Sequence, residues 1–398
     1  MILEIIIAAL LGIIAGTITG LIPGVHINLV ATLLFINSTF FLGFTNPLIL
    51  AIFIISMTTA HTFIDFIPSI FLGAPNEDTV LSILPGHRML LEGKGYEAVR
   101  LTAIGGFFGL ILACILTPVF ILIAPIFYPL LERIMAFVLI SLSLILIFTE
   151  KRKFAAFFVF ILAGLLGIGA LNFSLLKQAL FPLFTGLFAT PLLIISFMQN
   201  VKIPKQKITK TKTSKKEIFK ILGIGIFSSS LVSFLPGVGS AQAAVIASVF
   251  KKIKEKSFLV LLGAINTLVV LLSFVALYAI KKPRSGAAVF VGKFLPDITL
   301  SNLWTLLIVS LIVGIFAFFI SLFLAKKFSQ IMKKVNYKWL CFAILIFLVI
   351  LTPIISNWWG LLVLATATAL GIFCSLIGIK KIFLMGSLLL PVIIYYLV

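Results

Sequence analysis

Two short Pro-Gly stretches carry the most legible chemistry in this 398-residue chain. Leu21-Ile22-Pro23-Gly24-Val25-His26-Ile27-Asn28 and Ser233-Phe234-Leu235-Pro236-Gly237-Val238-Gly239-Ser240 each interrupt an apolar run. Proline removes a backbone donor and clashes with the preceding turn, and glycine loosens the chain beside it. A half-helix starting after such a break leaves its first N–H groups unpaired and turns its positive dipole end toward the gap. That end is a seat for an anion. Beside Pro23, Gly24, Pro236, Gly237 and Gly239, the side chains of His26, Asn28, Ser240 and Gln242 add donors. One break alone would be an ordinary proline kink, which membrane helices tolerate. Two breaks at matching places favour a binding role.

A second pair of polar stretches follows at similar spacing, 52 positions from Pro23 to Pro75 and 47 from Pro236 to Pro283. Gly73-Ala74-Pro75-Asn76-Glu77-Asp78 and Lys282-Pro283-Arg284-Ser285-Gly286 each come after the first full apolar run that follows a break. Either could be a plain solvated loop. As site residues, Pro75, Asn76, Pro283 and Ser285 would approach one cavity from opposite sides. Arg284 would hold a carboxylate bidentately. Glu77 and Asp78 would meet a coupling cation or proton. Asp65 joins them as a coupling-ion candidate. It lies four residues after His61 inside an apolar run, so the two share a helix face. Ionisable groups at membrane depth mark pathways, although a His–Asp pair can also simply tie helices together. Asn266 in Gly263-Ala264-Ile265-Asn266-Thr267 is the polar position of the corresponding run in the second half, open to the same two readings.

The elements that must position these residues are membrane helices. The chain is 62% apolar and 11% charged. Its repeated apolar runs are of spanning length, which excludes a soluble globular domain. The net charge of +20 sits in short loops between those runs, so it reads as topology and gives no reason to expect nucleic acid. Nothing at Met1-Ile2-Leu3-Glu4 resembles a cleavable signal. Cys114, Cys341 and Cys374 lie singly in apolar runs and read as small hydrophobes. No His-Glu-x-x-His or Gly-x-Ser-x-Gly pattern appears, and the three aspartates (Asp65, Asp78, Asp297) are scattered, so no enzyme and no bound cofactor are expected.

The chain divides into a first membrane repeat over 1–199, a basic linker over 200–220 and a second repeat over 221–398. Each repeat opens on a broken hairpin, 1–43 and 221–250. Five apolar crossings follow: 48–72, 101–128, 134–148, 154–171 and 180–198 in the first, and 258–280, 300–325, 339–355, 359–379 and 382–398 in the second. An odd number of crossings gives the repeats opposite orientations, the plan of many secondary transporters. The expected fold is therefore all-α and polytopic, with two inverted repeats, about ten transmembrane helices and two re-entrant hairpins. With the hairpins re-entrant, 25 of the 31 lysines and arginines fall on one face. This assigns that face to the cytoplasm and both termini to the outside.

The order of motifs resembles a known family. Gly16…Gly20-Leu21-Ile22-Pro23-Gly24, Gly73-Ala74-Pro75, Leu84-Pro85-Gly86-His87-Arg88…Glu92-Gly93-Lys94-Gly95…Ala98 and the Thr102–Gly109 stretch are similar to the large membrane subunit of tripartite tricarboxylate transporters. Leu235-Pro236-Gly237-Val238-Gly239, Asn266 and Pro283…Ala287-Ala288 continue the likeness through the second half. The resemblance implies an ion-coupled carrier of small organic anions, di- or tricarboxylates, in the cell membrane, with Na+ or H+ as coupling ion. It also implies a small membrane subunit and an extracytoplasmic binding protein as partners; a homo-oligomer is a further option. His26, Asn28, the acidic Asn76-Glu77-Asp78 and Gly239-Ser240-Ala241 depart from the family pattern and leave the substrate open. Two competing readings are a translocase for a lipid-linked phosphate, which the same helix ends would hold, and a scaffold subunit that transports nothing itself.

Overall fold

The computed structural model describes residues 2–22, 27–74, 78–199, 203–209, 214–234, 239–249, 253–283, 285–332 and 335–397. The described residues are helical, without strands. Helix α1 (Ile2–Leu21) stops at the first Pro-Gly break; α2 (Ile27–Ile36) and the short α3 (Ser38–Leu42) follow it. The first long buried run is split into α4 (Pro47–Ile64) and α5 (Phe66–Phe71). Asn46 caps its start, accepting from Ile49 N at 3.2 Å with Pro47 in the first turn. The split has a local cause. Pro68 has no N–H to give to the carbonyl of Ile64, so the ladder fails around Asp65.

The first half continues with α6 (Ile83–Leu91), α7 (Gly95–Thr149), α8 (Lys153–Leu171), α9 (Leu180–Phe184) and α10 (Thr190–Met198). A π-helical turn at Thr185–Ala189 joins α9 to α10. The second half holds α11 (Lys215–Ser233), α12 (Ser240–Val249), α13 (Glu255–Ile280), α14 (Gly286–Phe294), α15 (Leu300–Ile331), α16 (Tyr337–Ser356), α17 (Trp359–Leu376) and α18 (Gly386–Leu397). Among the described residues nine helices are long and apolar enough to cross a membrane. This is a multi-pass membrane protein.

Two expected boundaries need correction. The runs at 101–128 and 134–148 are not separate crossings joined by a loop; they form one 55-residue helix, α7, with Pro118, Pro125 and Pro129 inside it. A proline within a helix costs one hydrogen bond and bends the rod without ending it when packing holds both sides. At about 80 Å such a helix far exceeds a bilayer core of roughly 30 Å. The last run, 382–398, is a 3-10 turn at Lys381–Met385 followed by the 12-residue α18, shorter than a full crossing.

Packing puts the first long span of each half at the centre. Over the most apolar 18 residues of each, 83% are buried in the α4–α5 run and 94% in α13, against 28% in α1. Each half also packs on the other: α7 of the first lies along α13, and α15 of the second lies along α4. The first helix of each half sits on the span that follows, α1 on α4 and α11 on α13. Helices α8, α9, α10, α16, α17 and α18 pack mainly among themselves beside this centre.

Candidate functional site

The break in the α4–α5 run leaves Asp65 buried in the protein interior, 1% exposed. Its Oδ2 accepts from Asn266 Nδ2 on α13 at 3.1 Å, while Oδ1 has no partner among the described residues. The same Asn266 nitrogen reaches the Thr62 carbonyl at 3.4 Å. Its Oδ1 accepts from Ser240 Oγ, in the first turn of α12, at 3.4 Å. On the other side, His61 Nε2 stands 3.9 Å from Asp65 Oδ2, and His61 Nδ1 pairs with Thr19 Oγ1 of α1 at 3.0 Å. Thr19, His61, Asp65, Asn266 and Ser240 therefore form one buried polar chain. It runs from the last turn before the first break to the first turn after the second.

The start of α12 is held in a particular way. Gln242 Oε1 accepts from Gly239 N at 2.9 Å, and Ala243 N returns to the Gly239 carbonyl at 3.1 Å. This is half of a capping box. The N–H groups of Ser240, Ala241 and Gln242 are left without acceptors inside the helix. Asp78 lies close by: a side chain on Gly239 would begin 3.7 Å from Asp78 Oδ1 and 3.7 Å from Gln242 Oε1. Buried hydroxyls gather on the last turns of α11, where Ser229 Oγ and Ser233 Oγ have no partner among the described residues.

Of the residues expected from sequence, Asp65, Asp78, Gly239, Ser240, Gln242 and Asn266 come together here. Gln242 does more capping than expected, since its carbonyl oxygen is committed to Gly239. Asn28 begins α2, and nothing is described of its side chain. Pro23, Gly24, His26, Pro75, Asn76, Glu77, Pro236, Gly237 and Arg284 lie outside the described residues. Pro283 and Ser285 are elsewhere. Ser285 caps α14, accepting from Ala288 N at 3.2 Å, and pairs with Ser273 at 2.7 Å. Ser273 is about 10 Å along α13 from Asn266. Nearby Lys282 donates to Tyr128 at 2.8 Å and faces Glu132 at 3.9 Å. Thr19 is the participant that sequence reading missed; a hydroxyl amid the apolar run of α1 was its signal. No group of three or more His, Cys, Asp or Glu among the described residues could hold a metal ion.

On the side of the basic loops, the linker is strapped to the first half. Gln206 accepts from Gly95 N and donates to the Leu90 carbonyl, both at 2.9 Å, and Thr209 donates to Glu97 at 3.1 Å. Lys256 donates to Glu97 at 2.7 Å, and Arg88 pairs with Glu255. Cys114, Cys341 and Cys374 are free thiols.

Comparison with known proteins agrees with this architecture. A curated relative from Methanocaldococcus jannaschii, the uncharacterized protein MJ1079, is 32% identical over 402 residues and covers 98% of each chain. No solved structure matches. The family model described as "Tripartite tricarboxylate transporter TctA family" matches residues 6–386. With nearly its whole length matched, the chain belongs to the tripartite tricarboxylate transporter TctA family.

Proposed function

We propose that this chain is the translocating subunit of a secondary transporter that moves a small organic anion, a di- or tricarboxylate, by ion-coupled alternating access. The observation that carries this reading is the start of α12. Three unpaired N–H groups, the Ser240 hydroxyl and the Asn266 amide converge there, between the two most deeply buried spans. Family membership supports the carboxylate class. The crossed packing, α7 on α13 and α15 on α4, supports two inverted repeats around that point. Arg284, in the short polar loop after α13, is the proposed fixed counter-charge. The basic-loop side is proposed as cytoplasmic, with both termini outside. A small membrane subunit and an extracytoplasmic binding protein would deliver the substrate.

Proteoliposomes carrying the purified chain should show counterflow of labelled di- or tricarboxylates. Ser240→Ala should weaken the apparent affinity, and no saturable flux for any carboxylate would refute the proposal. One observation favours a second reading. A cavity of about 380 Å³ between α11 and α13 is walled by Ile221, Ile224 and Ile253 and ringed by Lys216, Lys220 and Lys254, with Glu217 bound to Ser257 among them. Apolar walls under a cationic rim suit a lipid-borne phosphate. Movement of a phospholipid or polyprenyl-phosphate analogue between leaflets, without carboxylate counterflow, would select that reading.

A further inference from the structure

The buried polar chain does more than line a site: its ends reach both hairpins, and its middle can change charge. Asp65 is ringed by neutral groups. Packed against the α4–α5 run, α1 beyond Glu4, α2, residues 257–277 of α13, residues 101–113 of α7 and residues 300–325 of α15 contain no acidic, basic, histidine, tyrosine or cysteine residue, whereas α6 and the start of α7 bring His87, Arg88, Tyr96, Glu97 and Arg100 toward the α5 end. Lys293 of α14 lies over the rings of Phe35 and Phe290, at 4.6 and 5.1 Å. Of these, His87 is held by the Ile70 carbonyl and the Tyr337 hydroxyl, Arg88 by Glu255 and Glu97 by Lys256, which leaves His61 on its own run and Asp78 from the segment before α6 beside Asp65. A carboxylate buried with one neutral donor and one bare oxygen is costly in its charged form. The bare atom, Oδ1, is where a proton would reside.

We propose that Asp65 is the site of an exchangeable proton, and that its arrival switches Ser240 into an anion-binding donor by turning over the Asn266 amide. This rests on the transporter reading above and identifies its coupling ion and the sign of coupling. With Asp65 charged, Asn266 gives its NH₂ to Asp65 and its carbonyl oxygen to the Ser240 hydroxyl. A proton taken from water onto Asp65 makes it neutral and gives it an O–H that needs an acceptor. Half a turn of the Asn266 side-chain amide supplies that acceptor and presents the NH₂ to Ser240 Oγ. The Ser240 proton is then free to turn from Asn266 toward an anion at the start of α12. Loss of the Asp65 charge also removes a repulsion. Both changes favour an anion, so proton and anion bind together and travel in the same direction.

The test uses the full chain in lipid nanodiscs and in proteoliposomes, with labelled citrate as the probe. Infrared spectra of the nanodiscs should show a protonated-carboxyl band that titrates with pH and disappears in Asp65→Asn. Wild-type citrate affinity should fall by between about 5- and 150-fold from pH 5 to pH 8. Asp65→Asn, whose amide mimics the protonated acid, should hold the low-pH affinity at every pH. Ser240→Ala should weaken binding at pH 5 and leave the carboxyl band in place. Gel filtration of Asp65→Asn checks that it is folded; if it is not, the band and the Ser240→Ala profile decide. A wild type without a titrating band, or a band that survives Asp65→Asn, overturns the proposal. So does thermal stabilisation by Na+ relative to choline that Asp65→Asn abolishes, since the site would then take a sodium ion. Absence of citrate flux at every pH counts against the carboxylate reading alone, because the infrared band judges Asp65 without substrate.

Discussion

The two halves use corresponding parts and charge them differently. In the first, His61, Asp65, His87 and Glu97 are buried. In the second, the buried polar side chains on α11 through α15 are serines, Thr267, Gln242 and Asn266; Lys381, near the chain's end, is the buried cation. The hairpins differ as well. Helix α1 meets α4 through Gly12, Gly16 and Gly20; added Cβ atoms would collide with α4 at Gly12 and Gly16 and press on the Ile64 side chain at Gly20. Helix α11 meets α13 more loosely. At Gly225 a Cβ would stand 3.3 Å from the tip of Leu261, and at Gly223 it would meet nothing within 4 Å. One half clamps its hairpin to an ionisable span. The other rests α11 more loosely on a span whose interior, residues 257–277, is neutral, and α13 is gripped instead by α7, through Gly105, Gly109 and Gly263.

The sharpest way to break this contrast is to thicken the clamp. A side chain at Gly16 would place its Cβ 2.3 Å from the Met57 carbonyl oxygen, which is backbone and cannot swing aside. Gly16→Val should cost more than about 4 kcal/mol and leave no monodisperse protein in detergent. Gly225→Ala meets only the flexible end of Leu261 and should stay within about 0.5 kcal/mol of wild type. Equal tolerance at both glycines, read by gel filtration and thermal shift, would remove the claimed difference between the hairpins.

Sequence carried much of this, for definable reasons. Spanning length and loop charge require no tertiary knowledge, so the helical membrane fold and both breaks were legible. Residue spacing also put His61 and Asp65 on one face. What stayed hidden depends on contacts between distant segments. Nothing local says that Asn266 turns toward Asp65, 201 positions away, or that Thr19 meets His61. One boundary differs. Pro129, Glu132 and Arg133 between the runs 101–128 and 134–148 look like a loop, yet α7 runs through them, with Tyr128 bound to Glu132 and Lys282 bracing the turn. Ser285 was read as a ligand because of its loop; its hydroxyl is a helix cap and a tie to Ser273.

A smaller effect sharpens the contrast on the short helices that follow each first span. Helix α6 buries His87 between the Ile70 carbonyl, 3.4 Å from Nδ1, and the Tyr337 hydroxyl, 2.8 Å from Nε2. Burial pushes this imidazole down to about 4, opposed by the Ile70 hydrogen bond and helped by nearby Lys381. An unfolded histidine titrates near 6.5. As pH falls from about 6.5 to about 4 the unfolded chain takes up a proton that the folded one refuses, so stability drops, by on the order of 3 kcal/mol. Below about 4 the loss levels off. Unfolding midpoints in detergent between pH 7 and pH 4 should show this slope, and His87→Gln should flatten it. The corresponding helix α14 buries no such group, so substitutions there should leave the slope intact.

The smallest effect asks whether the buried charge of the first half is held by the second. Two ion pairs cross between the halves at adjacent positions. Glu97, its side chain 4% exposed, takes Lys256 at 2.7 Å and Thr209 at 3.1 Å. Arg88 and Glu255 are 69% and 41% exposed. Losing a partner leaves a buried carboxylate undersatisfied, whereas solvent replaces the partner of an exposed one. Lys256→Met should therefore destabilise by about 1–3 kcal/mol, and Arg88→Ala by less than about 1 kcal/mol. Because Glu97 also tethers the linker through Thr209, Lys256→Met should speed proteolysis near residue 210 while Arg88→Ala should not. Equal cleavage rates would mean that the strap holds without Lys256, and that the first half keeps its buried charge unaided.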